Sequence, residues 1–132
     1  MVDPNKQIYY AHSLKIYNTK REKKELRYLK KKFFKIFNPK TELQWDSTTK
    51  MQPYFEAVQS SCSIIASEYK KSIGRGVFDE IKIALKNNIP AYILKRKFFK
   101  FKLIKIKDVK YIGIDWKIHY GKLILNSEHY SN

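Results

Sequence analysis

The stretch Ser67-Glu-Tyr-Lys-Lys-Ser-Ile-Gly-Arg-Gly-Val-Phe-Asp-Glu-Ile-Lys-Ile-Ala-Leu-Lys-Asn-Asn-Ile-Pro-Ala-Tyr-Ile-Leu94 decides how this chain is read. It opens as a polar loop and passes through Gly74 and Gly76, two of only four glycines. Val77, Ile81, Ala84 and Leu85 then recur at helical spacing. Asn87 and Asn88 end that helix, because asparagine tolerates the left-handed backbone of a helix terminus. Residues 90–94 follow as a strand. A strand must also precede the loop, and residues 62–66, Cys-Ser-Ile-Ile-Ala, are the apolar run expected of a strand buried on both faces of a parallel sheet.

Working outward, residues 7–12, Gln-Ile-Tyr-Tyr-Ala-His, are aromatic and β-branched and make a first strand after a Pro4-Asn5 turn. Thr19 caps a helix with Glu22 in its first turn, and Leu26, Leu29, Phe33 and Phe34 form its buried face. Residues 35–38 are a short second strand stopped by Pro39. Residues 40–50 are polar and unpatterned, a surface loop distinguished by Trp45 and Asp46. Pro53 opens a short helix running to about Ser60. Strands alternating with helices at this spacing predict an α/β fold: a single-domain, Rossmann- or flavodoxin-like parallel sheet with flanking helices.

The character changes at Lys95. Residues 1–94 form the α/β core, and residues 95–132 a basic, β-rich extension packed on the same domain. Phe99, Phe101 and Leu103 alternate with lysines, then Ile104 and Ile106 do so one position out of phase, which predicts a bulge or turn between 103 and 104. Eight basic residues stand between Lys95 and Lys110 against one acid, Asp108. They read either as an edge strand protected from aggregation or as a strip for nucleic acid. Asp115 is placed to cap a short last helix holding Trp116, Ile118, Tyr120 and Leu123.

With 132 residues, 43% hydrophobic and 15% aromatic, the chain suffices for one domain with a real core, which excludes a disordered tail. No apolar run is long enough to span a bilayer, and residues 1–7 lack the apolar core of a secretory signal, so a cytoplasmic protein with no membrane partner is expected. The single cysteine, Cys62, forbids an intrachain disulfide and reads as a core thiol. His119 and His129 have no acid or thiol at ligand spacing, so neither a metal nor a cofactor is expected. The net charge of +16 suits an anionic ligand, although lysine spread along the whole chain also reads as a coding bias.

In an open α/β sheet, ligands sit outside the carboxyl ends of the strands where the strand order reverses. That rule gathers Ala11-His12-Ser13, Ser67-Glu68-Tyr69 and Gly74-Arg75-Gly76. A helix N-terminus at Gly74 to Gly76 suits an anion, with Ser13 and Arg75 as further donors. Glu80, one turn onward, is either an acceptor for sugar hydroxyls, a nucleophile at an anomeric carbon, or, with Asp79, a support of the helix dipole. His12 is either a proton shuttle or a hydrogen-bonded structural residue. Trp45 and Tyr69 either stack on a base or pack at the rim.

Ile-Tyr-Tyr-Ala-His-Ser at residues 8–13, the apolar third strand and Gly-Arg-Gly-Val-Phe-Asp-Glu-Ile-Lys-Ile-Ala-Leu-Lys-Asn-Asn-Ile-Pro-Ala-Tyr-Ile-Leu at 74–94 together resemble the nucleoside 2-deoxyribosyltransferase superfamily. The resemblance covers residues 7 to 94 and implies Glu80 as the glycosyl nucleophile. It implies Tyr10, His12 and Ser13 as lining of a sugar and phosphate pocket, Gly76 as a close backbone approach, and a homodimer that completes its site across the subunit contact. The implied ligand is a nucleoside or nucleotide, whose N-glycosidic bond is hydrolysed or exchanged, or which is simply bound and sensed. Two departures stand out. Base-transferring members place an aspartate at the end of the strand before the site loop, where this chain has Ser60-Ser61-Cys62-Ser63 and no acid before Glu68. Nothing in the superfamily's pattern corresponds to the section from Lys95 onward. Both weigh against base exchange and leave hydrolysis or binding.

Overall fold

The computed structural model describes residues 6–43 and 50–126, which form a six-stranded sheet flanked by four helices. In chain order these are β1 (Gln7–His12), α1 (Lys20–Lys32), β2 (Lys35–Phe37), α2 (Pro39–Glu42), α3 (Gln52–Gln59), β3 (Ser63–Ser67), α4 (Arg75–Lys86), β4 (Ala91–Lys97), β5 (Lys100–Asp115) and β6 (His119–Leu125). The sheet order is β2-β1-β3-β4-β5-β6. The first four strands are parallel, and β5 and β6 join antiparallel. The direction of travel across the sheet reverses between β1 and β3. Their C-terminal residues His12 and Ser67 pair in register at that point, which is where such a sheet opens a crevice.

Side chains alternate across a strand, so each inner strand feeds two cores. Ile8, Tyr10, Ile65 and Leu94 face α1 and meet Leu29 and Phe33. Tyr9, Ala11, Ile64, Ala66 and Ile93 face the other way and meet Val58 of α3 and Val77, Ile81 and Ala84 of α4. All five residues of β3 are buried, the burial on both faces that its apolar run predicts.

Thr19 caps α1 as expected, its hydroxyl accepting from the Glu22 N–H. Leu29 and Phe33 are buried, but Phe34 is 83% exposed. The helix stops at Lys32, and Phe33 already has extended backbone (φ −126, ψ 146), so residues 33 and 34 alternate in and out instead of sharing a helical face. Glu22 and Glu25 occupy the buried face in its place. The polar segment after Pro39 is not wholly a loop: Asn38 caps the single turn of α2, a helix too short to show a period. Trp45 and Asp46 lie outside the described residues, as does His129.

Two expectations for the last third are corrected. No bulge separates residues 103 and 104, since the β4–β5 register runs unbroken from Lys97↔Lys100 to Tyr92↔Lys105. Leu103 and Phe101 pack toward α1 while Ile104 and Ile106 join the opposite core, so the change of phase marks a strand covered on both faces. The irregularities come later, between Ile106 and Asp108 and between Tyr111 and Asp115. The expected last helix is β6 instead. Asp115 does cap the turn before it, accepting from the Lys117 N–H, but Leu123 and Leu125 then reach the core at a spacing of two. The division at 94/95 falls inside β4, and Ile104, Ile106 and Val109 share one buried cluster with β1, β3 and α4. Among the described residues no helix is long and apolar enough to cross a membrane.

Candidate functional site

The expected site residues divide between the two faces of β1. Neighbouring residues of a strand point oppositely, so Tyr9 meets α4 while Tyr10 and His12 turn toward α1.

On the α4 side, the helical period that buries Val77, Ile81 and Ala84 buries Glu80 with them, at 4% exposure. The Tyr9 hydroxyl donates to Glu80 Oε2 across 71 residues of sequence. Burial pushes the Glu80 carboxyl up to about 8, and the Tyr9 hydrogen bond opposes that rise only in part. Burial, and then the charge of Glu80, raise the Tyr9 and Tyr17 hydroxyls too. Glu80 therefore holds its proton more tightly than a free carboxyl and lies beneath the surface, bonded to one tyrosine. Burial also raises neighbouring Asp79, with Arg75 opposing from 3.7 Å.

On the α1 side a larger polar network fills the crevice between β1 and β3. Glu25 accepts from the Tyr10 hydroxyl at 2.5 Å, the Ser67 hydroxyl at 2.9 Å and Arg21 Nε at 3.1 Å. Arg21 Nη2 in turn donates to Ser67 Oγ at 2.8 Å. Glu22 is 2.7 Å from His12 Nε2 and accepts from Lys40 Nζ at 2.8 Å and the Asn18 N–H at 3.1 Å. Burial alone pushes Glu22 up, but the hydrogen bonds from Lys40, His12 and Asn18 outweigh it and hold its carboxyl below the usual range. Burial pulls His12 down, with Glu22 opposing. The imidazole stacks on Tyr10 at 3.9 Å, and its Nδ1 lies 3.2 Å from the Tyr10 carbonyl, so both ring nitrogens have partners. Ser67 was expected at this crevice from the sequence, whereas Arg21, Glu22, Glu25 and Lys40 were not. The signal was there for two of them: Glu22, Glu25 and Leu29 stand at i, i+3 and i+7, placing two carboxylates on a face that should be apolar.

Ser13 is buried and accepts from the Lys15 N–H, holding the loop after β1. Glu68 accepts from Lys95 Nζ at 2.6 Å and lines a cavity of about 430 Å³ between α1, the loop after β3, and β4. Tyr69 and Ser72 close that loop with two reciprocal backbone hydrogen bonds, of 2.8 and 3.1 Å.

Gly74, Arg75 and Gly76 do begin a helix, but the turn between β5 and β6 lies against its start. The Arg75 N–H donates to the Trp116 carbonyl at 3.3 Å, and a Cβ on Gly74 would stand 2.9 Å from the Lys117 carbonyl oxygen. The close backbone approach that glycine permits is made by the chain itself. Gly76 has only the Met51 methyl near its missing side chain, at 4.0 Å. The structure thus brings Tyr10, His12, Ser13 and Glu68 to the crevice and its neighbouring cavity, and sets Glu80, Gly74, Arg75 and Gly76 on the other side of the sheet.

No protein-family model matches this chain, and no curated protein sequence matches it. Among solved structures it is similar to a conserved protein from Enterococcus faecalis V583, with a TM-score of 0.52 and 22% identity over 67% of this chain. The match covers 62% of that protein, less than two thirds of its length, and the likeness is one of fold.

Proposed function

We propose that this chain acts on the N-glycosidic bond of a nucleoside or nucleotide, with Glu80 as nucleophile and Tyr9 as the residue that positions it. The observation that carries the reading is the buried Tyr9–Glu80 hydrogen bond, which fixes a carboxyl of raised proton affinity in one orientation. The 2-1-3-4 order of the parallel strands supports a Rossmann- or flavodoxin-like core, with the basic strands after Lys95 as its extension. In the proposed cycle the ionised Glu80 attacks the anomeric carbon and forms an ester as the carbon–nitrogen bond breaks. The electron pair leaves with the base, which takes a proton from solvent, and water or a second base then displaces Glu80. The same reading takes the chain as a cytoplasmic homodimer.

The experiment is a rapid quench during turnover of nucleoside monophosphates, followed by mass mapping of the peptide that carries Glu80. A mass gain equal to the sugar phosphate supports the nucleophile. Unchanged turnover in Glu80→Gln removes it. A second reading, a non-catalytic nucleotide-binding module, is favoured by the burial of the Glu80 carboxyl and its raised proton affinity, which suit a group that only accepts or donates a hydrogen bond. It predicts that every nucleotide is recovered intact.

A further inference from the structure

We propose that the cavity on the α1 side of the sheet is a binding site for an organic polyphosphate, separate from Glu80. Its volume, about 430 Å³, is that of a small-molecule site. Arg21, Lys24, Lys70, Lys71, Lys95 and Arg96 line it against two acids, Glu25 and Glu68. Both acids are already satisfied within the chain, Glu25 by Arg21, Tyr10 and Ser67, and Glu68 by Lys95. Lys24, Lys70, Lys71 and Arg96 form no ion pair among the described residues. Four cations converging on one hollow repel one another until an anion enters, and a single phosphate would leave that charge only partly matched.

The backbone gives an independent argument. Lys70 and Lys71 have φ of 49° and 62°, both left-handed, in a two-residue turn closed by Tyr69 and Ser72. Asn-Gly is the favoured pair in such a turn, because a residue with a larger side chain is uphill in that region. Here the unfavourable positions carry two lysines at the edge of the cavity. Local strain retained where it presents charge points to a ligand for that charge. At the floor, the buried Glu25 and Ser67 accept from Arg21 Nε and Nη2, and the other guanidinium nitrogen is left for a ligand. Leu94 and Phe101 form an apolar wall, and Arg96 lies 5.8 Å above the Phe101 ring. The class that fits dense charge on one side and a flat apolar surface on the other is a nucleoside di- or triphosphate.

The test is calorimetric titration of the full chain with a nucleoside triphosphate and with inorganic triphosphate. Lys70→Asn/Lys71→Gly should weaken binding by about tenfold or more, as expected from losing two charge-assisted contacts. The same change should raise the thermal midpoint, because it relieves the turn. Lys30→Ala/Lys31→Ala, at the exposed end of α1, should leave affinity unchanged, and Arg96→Ala should weaken it. Inorganic triphosphate has no glycosidic bond, so its binding reads this site apart from the glycosidic reading. The proposal is overturned if neither probe binds, if the turn variant binds as well as wild type, or if the Lys30/Lys31 control loses as much. Tighter binding of inorganic triphosphate than of the nucleoside triphosphate would overturn the role of the Phe101 wall.

Discussion

Glu80 ties stability to pH with a definite sign. Folded, it keeps its proton up to about 8, whereas its ordinary value is 4.5, so folding takes up a proton between those limits. The group's contribution therefore favours folding below about 4.5 and is lost as pH rises toward 8. Urea midpoints should fall more steeply from pH 5 to pH 8 in the wild type than in Glu80→Gln; parallel curves would mean the carboxyl is not buried as described. If Glu80 is the nucleophile, kcat/KM should climb with pH to a limit near 8, and Tyr9→Phe should move that limb higher by removing the bond that favours the carboxylate. The position of Glu80 one turn past Gly76 was legible in the sequence, as was a buried face of Val77, Ile81, Ala84 and Leu85, but that Glu80 itself turns into this face was not. Its partner was not, because Tyr9 is 71 residues away and only the strand's alternation decides which tyrosine of the Tyr9-Tyr10 pair faces α4.

At the scale of elements, a local signal decides structure only where it has a single structural outcome. β1, the Thr19 cap and the Asn87 terminus of α4 were all legible from local chemistry. Thr19→Ala should lower stability by about 1 kcal/mol, measured as a shift in urea midpoint at constant slope. The β6 segment was misread because Asp115 caps a hairpin turn with the same side-chain chemistry that starts a helix. The turn between β4 and β5 makes its own prediction. Phe98 and Phe99 are both left-handed and more than four-fifths exposed, in a two-residue connection that favours Asn-Gly. Phe98→Asn/Phe99→Gly should therefore stabilise the protein by roughly 1 to 3 kcal/mol, and a drop in the thermal midpoint would show that the two rings are held by packing.

For the whole molecule, β5 and β6 supply Ile104, Ile106, Val109, Leu123 and Leu125 to the core shared with β1, β3 and α4. Gly121 lets β6 lie against α4, since a Cβ there would meet the Phe78 ring at 2.5 Å and the Lys110 carbonyl oxygen at 3.0 Å. Gly121→Ala should weaken the protein by about 1 to 3 kcal/mol through overpacking, visible as a lower denaturation midpoint. The parallel half was legible because every strand in it is apolar or followed by a helix, whereas the split of the site residues between two faces follows from a sheet register that no single segment contains. The most direct measurement of the central claim is release of free base when the full chain is incubated with a panel of nucleosides and nucleoside monophosphates. Wild type should release free base from at least one of them, and Glu80→Gln none above background. Recovery of every compound intact, or equal release by the variant, would contradict that claim.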